Sequence, residues 1–188
     1  MGIRKQTTRL GKATQVLALA ALLVAAGDAT AQTRIGIERG TRPAPLVLVS
    51  IGGKQVDLAD SFGQRPVVLE FWATWCPKCQ ALEPKMIAAE ERFGDRVDFY
   101  GIAVAVGQNP DRIREHLAEH PLPFPMLWDA DGEAARRFMA PTTSYIVILD
   151  GAGRVAYTGV DTDQDVIGAI ENVLDADENQ SASEPAPS

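Results

Sequence analysis

The sequence predicts an α/β fold in which one central sheet carries helices on both faces. Three observations predict it. Residues 66–72 (PVVLEFW) and 97–106 (VDFYGIAVAV) are mostly apolar runs rich in strand formers, as expected for strands buried on both sides. Between them, Cys79, Leu82, Met86, Ala89 and Phe93 recur at steps of three and four, one buried stripe of a helix over 76–93. Near the C-terminus, Asp150-Gly151-Ala152-Gly153 separates two short apolar stretches, a turn between strands. Buried strands that alternate with helices favour a sheet covered on both sides.

The elements follow in order. Arg4, Lys5, Arg9 and Lys12 precede an unbroken apolar run of eleven residues, 16–26, and Ala29 and Ala31 supply small residues at a cleavage site. This is the pattern of a Sec-type signal peptide over residues 1–31. The run is shorter than the roughly 20 apolar residues of a membrane span. The alternative is an uncleaved anchor over 13–31. No cysteine precedes Cys76 to accept a lipid, and the N-terminus has no twin arginine.

Residues 32–45 lack periodicity and read as a linker. The folded domain is expected over 46–174. It begins with short strands at 46–50 and 55–58 around Gly52-Gly53, a hairpin. Pro84 should kink the helix over 76–93, and Gly94 ends it. Asn109-Pro110 supplies an N-cap and a first helical residue for a helix over 110–120, which Pro121, Pro123 and Pro125 stop. A short strand at 124–128, a helix at 133–139, strands at 143–149 and 154–158, and a last helix at 163–174 complete the pattern. Residues 175–188 (DADENQSASEPAPS) are polar and acidic, and read as a disordered tail.

The formal charge of the chain is −7, and loss of the basic leader would make it more acidic. From Asp161 onward there are eight acids and no base. Such a surface disfavours nucleic acid and anionic membrane.

The two cysteines, Cys76 and Cys79, are the only ones in the chain, and they stand two residues apart after a buried strand. A structural disulfide fits a secreted protein, but so short a loop removes little unfolded-state entropy. A zinc site would borrow His116 and His120, spaced i, i+4. A redox pair uses the helix start, whose partial positive charge favours a thiolate. The redox reading is the better account of a pair placed there.

Residues 67–79, VVLEFWATWCPKC, closely resemble the active-site signature of thioredoxin-fold proteins, above all the secreted TlpA/ResA group of thiol-disulfide oxidoreductases. The resemblance spans about 46–174. It implies a thioredoxin-like three-layer fold: a central mixed sheet with helices on both faces, an N-terminal β-hairpin and an inserted helix-strand element. Pro84 matches the group's helix proline. The resemblance implies that Cys76 attacks a client disulfide and that Cys79 resolves the mixed disulfide, closing a Cys76–Cys79 bond. Pro77 fits the first helical turn, and Lys78 adds a positive charge beside Cys76. Glu70 aligns with the buried acid of thioredoxins. A carboxyl buried behind Cys79 should have a raised pKa and could take that thiol's proton. Trp75, Pro77 and Lys78 are expected to flank the client. Ala140, Pro141 and Thr142 resemble the group's cis-proline loop and should face the disulfide. The strand after that loop reaches its turn about three residues later than in the group. Either the strand is longer or bulged, or the loop register is shifted and Thr143 and Ser144 face the cysteines instead.

Other signals carry less. The acidic series from Asp161 lacks the glycine and glutamate of a calcium loop, with Val166 and Asn172 in their places. A peroxiredoxin reading needs Pro and Thr where Leu69 and Ala73 stand, and a Sco-type copper protein separates its cysteines by three residues. The expected function is thus periplasmic thiol-disulfide exchange on client proteins, in the reductase direction. Apo-cytochrome c and copper-site cysteines are client classes the resemblance suggests. A membrane thiol carrier would supply electrons. No cofactor or metal is implied, nor any membrane insertion after leader cleavage. The rivals are an oxidase or isomerase with the same residues, and a non-enzymatic metal chaperone.

Overall fold

The computed structural model describes residues 36–183, with Gly2 before them; the expected leader otherwise lies outside the described residues, as do residues 184–188. The elements are β1 (Val47–Ser50), β2 (Gln55–Asp57), β3 (Val67–Trp72), α1 (Pro77–Phe93), β4 (Asp98–Val104) and α2 (Pro110–Glu119). Then come β5 (Met126–Asp129), α3 (Glu133–Arg137), β6 (Tyr145–Leu149), β7 (Val155–Gly159) and α4 (Val166–Ser183). The strands form one sheet in the order β2-β1-β5-β4-β3-β6-β7. The β3–β4 and β4–β5 pairs are parallel, and the other four pairs are antiparallel. The sheet is therefore mixed, with its parallel part central, where the apolar runs demanded burial on both faces.

Strand alternation sorts the core. Leu69 and Phe71 pack with Ile102, Tyr145, Val147, Ala134 and Phe138 on the α3 side. Val68 packs with Leu82, Met86, Ala89 and Phe93 of α1 and with Ile170 and Val173 of α4. Trp72, on that same face, joins Cys76, Cys79, Ala103 and Ile113 of α2. Glu70 lies between Val68 and Trp72 and so points to the α1 side.

Local signals set the helix starts. Asn109 Oδ1 accepts from Arg112 N at 2.9 Å, with Pro110 at the first turn of α2. Asp129 at the end of β5 accepts from Ala134 N and Ala135 N at 2.9 and 3.0 Å, opening α3.

Three expectations change. The segment 36–45 is not a free linker. Ile37 is buried, its N–H donates to Phe138 O, and Gly40 N donates to Val155 O. Gly36 has φ +75°, and a Cβ there would overlap the Tyr145 hydroxyl, so glycine is required for this approach. The tail is not disordered through 183, because α4 continues to Ser183. Asp177 Oδ2 accepts from Gly151 N at 2.7 Å, and Glu178 pairs with Arg96 at 3.6 Å. Those side chains tie an acidic segment to the fold although it lacks an apolar stripe. Finally, β6 begins at Tyr145 rather than at Thr143, which matters for the site.

Candidate active site

Cys76 is the N-cap of α1, with extended backbone, and its Sγ accepts from Cys79 N at 3.1 Å. Pro77 occupies the first turn, where no N–H is needed. The two cysteines form a disulfide, with Cα atoms 5.3 Å apart. Cys76 is 3 % exposed and Cys79 fully buried. Cys76 is thus scarcely more accessible than Cys79, because it is packed among Trp72 and Ala73. With both thiols in the disulfide, and with His116 against the Trp72 ring at 5.4 Å, the Cys₂His₂ arrangement is not formed.

The loop that presents Cys76 is fastened to the segment after β4. Thr74 N donates to Gln108 Oε1 at 2.9 Å, and Gln108 Nε2 donates to Val104 O at 2.7 Å. Trp75 Nε1 donates to Val106 O at 2.6 Å. Trp75 and Val106 remain 44 % and 65 % exposed, an apolar rim beside the disulfide. Trp72, by contrast, is core.

Lys78 forms an ion pair with Asp161, both half-exposed. Its charge near Cys76 is therefore offset by a carboxylate and screened by solvent. Lys85 donates to Thr162 O and Gln164 O at 2.8 and 2.9 Å. Gln164, buried, donates to Ser144 O at 3.0 Å and Asp161 O at 2.7 Å. The β7–α4 loop thus links α1 to the residue before β6.

That residue is Ser144, not Pro141. Ser144 N donates to Phe71 O at 2.8 Å, and Tyr145 pairs with Phe71. Ser144 has φ +62°, and its buried Oγ has no partner. Pro141 and Thr142 are exposed three and two residues earlier, with Ala140 half-buried. No cis peptide bond occurs among the described residues, so Pro141 is not the expected cis-proline. β6 is not lengthened: Ser144 stands at its entrance, and the pairing of β6 with β7 carries an irregularity between Ile148 and Leu149.

Glu70 is 2 % exposed, and its Oε1 has no hydrogen-bond partner. Burial pushes its pKa up to about 8, with the Glu83 carboxylate adding to the rise. Its cross-strand neighbours, Gly101 and Ile146, offer it no charge. A base near that value is matched to a cysteine thiol, whose ordinary pKa is about 8.5. Glu83 stands four residues after Cys79 on α1. It lines a groove of about 620 Å³ with Gln80, Pro84, His116 and His120.

Gln108, Gln164, Asp161 and Glu83 escaped the sequence reading. Each acts through a partner distant in sequence or on another element, and no local spacing marks such pairs.

Residues 42–158 match the AhpC/TSA family. The chain belongs to that family. Thioredoxin-like and thiol-disulfide oxidoreductase relatives also match this chain. The thioredoxin-like protein YneN of Bacillus subtilis is 27 % identical over 145 residues, covering 76 % of this chain and 82 % of YneN. The thiol-disulfide oxidoreductase ResA of Bacillus subtilis is 26 % identical over 120 residues, covering 63 % of this chain and 65 % of ResA. The DsbE homologue of Paracoccus denitrificans, a thiol:disulfide interchange protein, is 30 % identical over 120 residues, covering 62 % and 63 %. Among solved structures, a secreted Mycobacterium tuberculosis disulfide oxidoreductase has a TM-score of 0.60 at 26 % identity, covering 68 % of this chain and 95 % of that one. A Chlorobium tepidum protein assigned as DsbE reaches 0.65 at 22 % identity, covering 75 % and 98 %, and shares the fold. This AhpC/TSA protein thus has the thioredoxin-like fold of the ResA and DsbE thiol-disulfide oxidoreductases.

Proposed function

We propose that this thiol-disulfide oxidoreductase is a periplasmic reductase of client-protein disulfides. The observation that carries the reading is the cysteine pair at the start of α1, with the unpartnered Glu70 carboxyl on the sheet face that α1 covers. Cys76 thiolate attacks a client disulfide, forming Cys76–S–S–client and releasing one client thiolate. Cys79 then gives its proton to the Glu70 carboxylate and attacks the Cys76 sulfur. The Cys76–Cys79 bond closes, and the second client thiolate leaves. Two electrons pass from protein to client, and a membrane dithiol carrier restores the pair.

Trp75, with Pro77 and Lys78, flanks the client on one side. Ala140, Pro141 and Thr142, in the loop that leads to Ser144, contact it on the other. The leader pattern and the secreted Mycobacterium tuberculosis relative support export. No helix among the described residues is long and apolar enough to cross a membrane. Cytochrome c and copper-site cysteines are the client classes we favour.

Cys79→Ala tests the reading. It should accumulate mixed disulfides through Cys76, which mass spectrometry would name. Absence of any Cys76 adduct, with the variant folded, overturns the exchange mechanism. A strongly oxidising potential of the wild-type pair overturns the reductase direction and favours an oxidase or isomerase.

A further inference from the structure

Among the described residues, three that are not glycine have a left-handed backbone: Met139, Ser144 and Asp161, at φ +49°, +62° and +71°. That conformation costs free energy in a residue with a Cβ, so the surroundings must hold it. For Ser144 and Asp161 the holder is one side-chain amide. Gln164 Nε2 has two hydrogens and gives one to Ser144 O at 3.0 Å and the other to Asp161 O at 2.7 Å. Its Oε1 accepts from the Tyr157 hydroxyl at 3.3 Å. Both donors and the acceptor of this amide are engaged, in a residue only 6 % exposed. Gly159 makes the room, because a Cβ there would overlap the Tyr157 hydroxyl and Gln164 Oε1. Lys85 adds a clamp from α1, donating to the main-chain carbonyls of Thr162 and Gln164.

The two held residues border the redox pair from different elements. Asp161 places its carboxylate on Lys78, between the cysteines. Ser144 N donates to Phe71 O, which sets Ser144 against the end of β3, where Trp72 packs with Cys76 and Cys79.

We propose that Gln164 is a positioning residue for the client. Its amide fixes the left-handed turn at Ser144, and with it the loop over residues 140–144 that the client contacts. The same amide fastens that turn to the β7–α4 loop, whose Asp161 holds Lys78. The proposal rests on the client-disulfide reading above. Gln164 touches none of the reacting sulfurs, so its loss should weaken the hold on a polypeptide and leave sulfur exchange itself intact. The position demands an amide. Methionine has the same length but no N–H, and an ionised glutamate has the same shape but no hydrogen for either carbonyl.

The test uses the reduced, full-length protein and two disulfides. One is a short oxidised peptide with the Cys-x-x-Cys-His spacing of haem attachment. The other is dithionitrobenzoate, a small disulfide that needs only Cys76. Single-turnover reduction of each is followed against concentration. Gln164→Met should raise the half-saturating peptide concentration about tenfold, with the limiting rate and the dithionitrobenzoate rate within about twofold of wild type. Gln164→Glu at neutral pH should do at least as much harm, and it carries the same comparison if Gln164→Met does not fold. Adding Ser144→Gly to Gln164→Met should restore most of the loss. Glycine takes a left-handed backbone without the amide, and the Ser144 hydroxyl that it removes has no partner. Wild-type half-saturation in a folded Gln164 variant overturns the proposal. So does an equal loss towards both disulfides, which would make Gln164 a general structural residue, and so does a double variant no better than the single one. Failure of the underlying reading looks different: the wild type itself would then react with dithionitrobenzoate but not with the peptide, and both readings would fall together.

Discussion

Two buried acids lie in this sheet, and they are treated in opposite ways. Asp129, 1 % exposed at the end of β5, places its two oxygens on the N–H groups of Ala134 and Ala135. Glu70, 2 % exposed in the middle of β3, leaves Oε1 with no partner. The first is a helix cap that satisfies donors which α3 cannot satisfy itself. The second costs stability whenever it is charged. Burial alone therefore does not set Glu70 apart from Asp129. The mark is burial without satisfaction, on the face that carries the reactive cysteines.

The largest expected effect that sharpens this contrast is in stability against pH. The pKa of folded Glu70 is raised from its ordinary 4.5 to about 8. Below about 4.5 both folded and unfolded chains hold the proton, and the site has no penalty. As pH rises from there through 8, the unfolded chain releases the proton first, so stability is progressively lost. Glu70→Gln removes that titration. Urea unfolding at several pH values should show wild type and variant close together near pH 5. The variant should gain as pH rises, by up to about 4 kcal/mol above pH 8. Parallel stability curves would mean that Glu70 finds a partner or solvent when charged.

The next effect is kinetic. In single-turnover resolution the wild-type rate should rise with pH towards a plateau above the Glu70 pKa. Glu70→Gln should lose that step and be slower on the order of a hundredfold on the plateau. An identical profile would make Glu70 as structural as Asp129. Conversely, Asp129→Ala should cost about 2 kcal/mol, because two helix N–H groups lose their acceptor. The same variant should retain the resolution profile of whatever fraction is folded. A shifted pH midpoint there would break the contrast from the other side.

Much of this was legible in the sequence where the signal is local. The apolar run around Glu70, the stripe Cys79, Leu82, Met86, Ala89 and Phe93, and the Asn109-Pro110 cap each bring their structural consequence within one element. What was misread depends on distant partners. The segment 175–183 lacks an apolar face, but Asp177 and Glu178 anchor it to Gly151 and Arg96. Residues 36–45 have no periodicity, yet Gly36 and Ile37 fit against Tyr145. Pro141 matched a motif by type, whereas β3 pairing placed Ser144 at the strand entrance. Strand register is decided by which residues pair across the sheet, so the late turn showed in the sequence that the loop departs from the group, but not which residue enters the strand.

The smallest expected effect concerns a third acid, Asp161, which is neither buried nor unpartnered. It pairs with Lys78 between the two cysteines, and both side chains are half in solvent. Such pairs contribute about 0–1 kcal/mol, so Asp161→Asn should change stability little. Its effect should appear at Cys76. With the carboxylate gone, the Lys78 charge is no longer offset and favours the Cys76 thiolate. That stabilises the reduced pair and makes it slightly more oxidising. A redox titration against glutathione, at low and high salt, would read this as a small positive shift in potential that shrinks as salt rises. Lys78→Gln should shift the potential the other way. If both variants leave it unchanged at low salt, charges at the mouth of this site do not tune the cysteines. The task of setting their protonation would then fall to the start of α1 and to the buried Glu70.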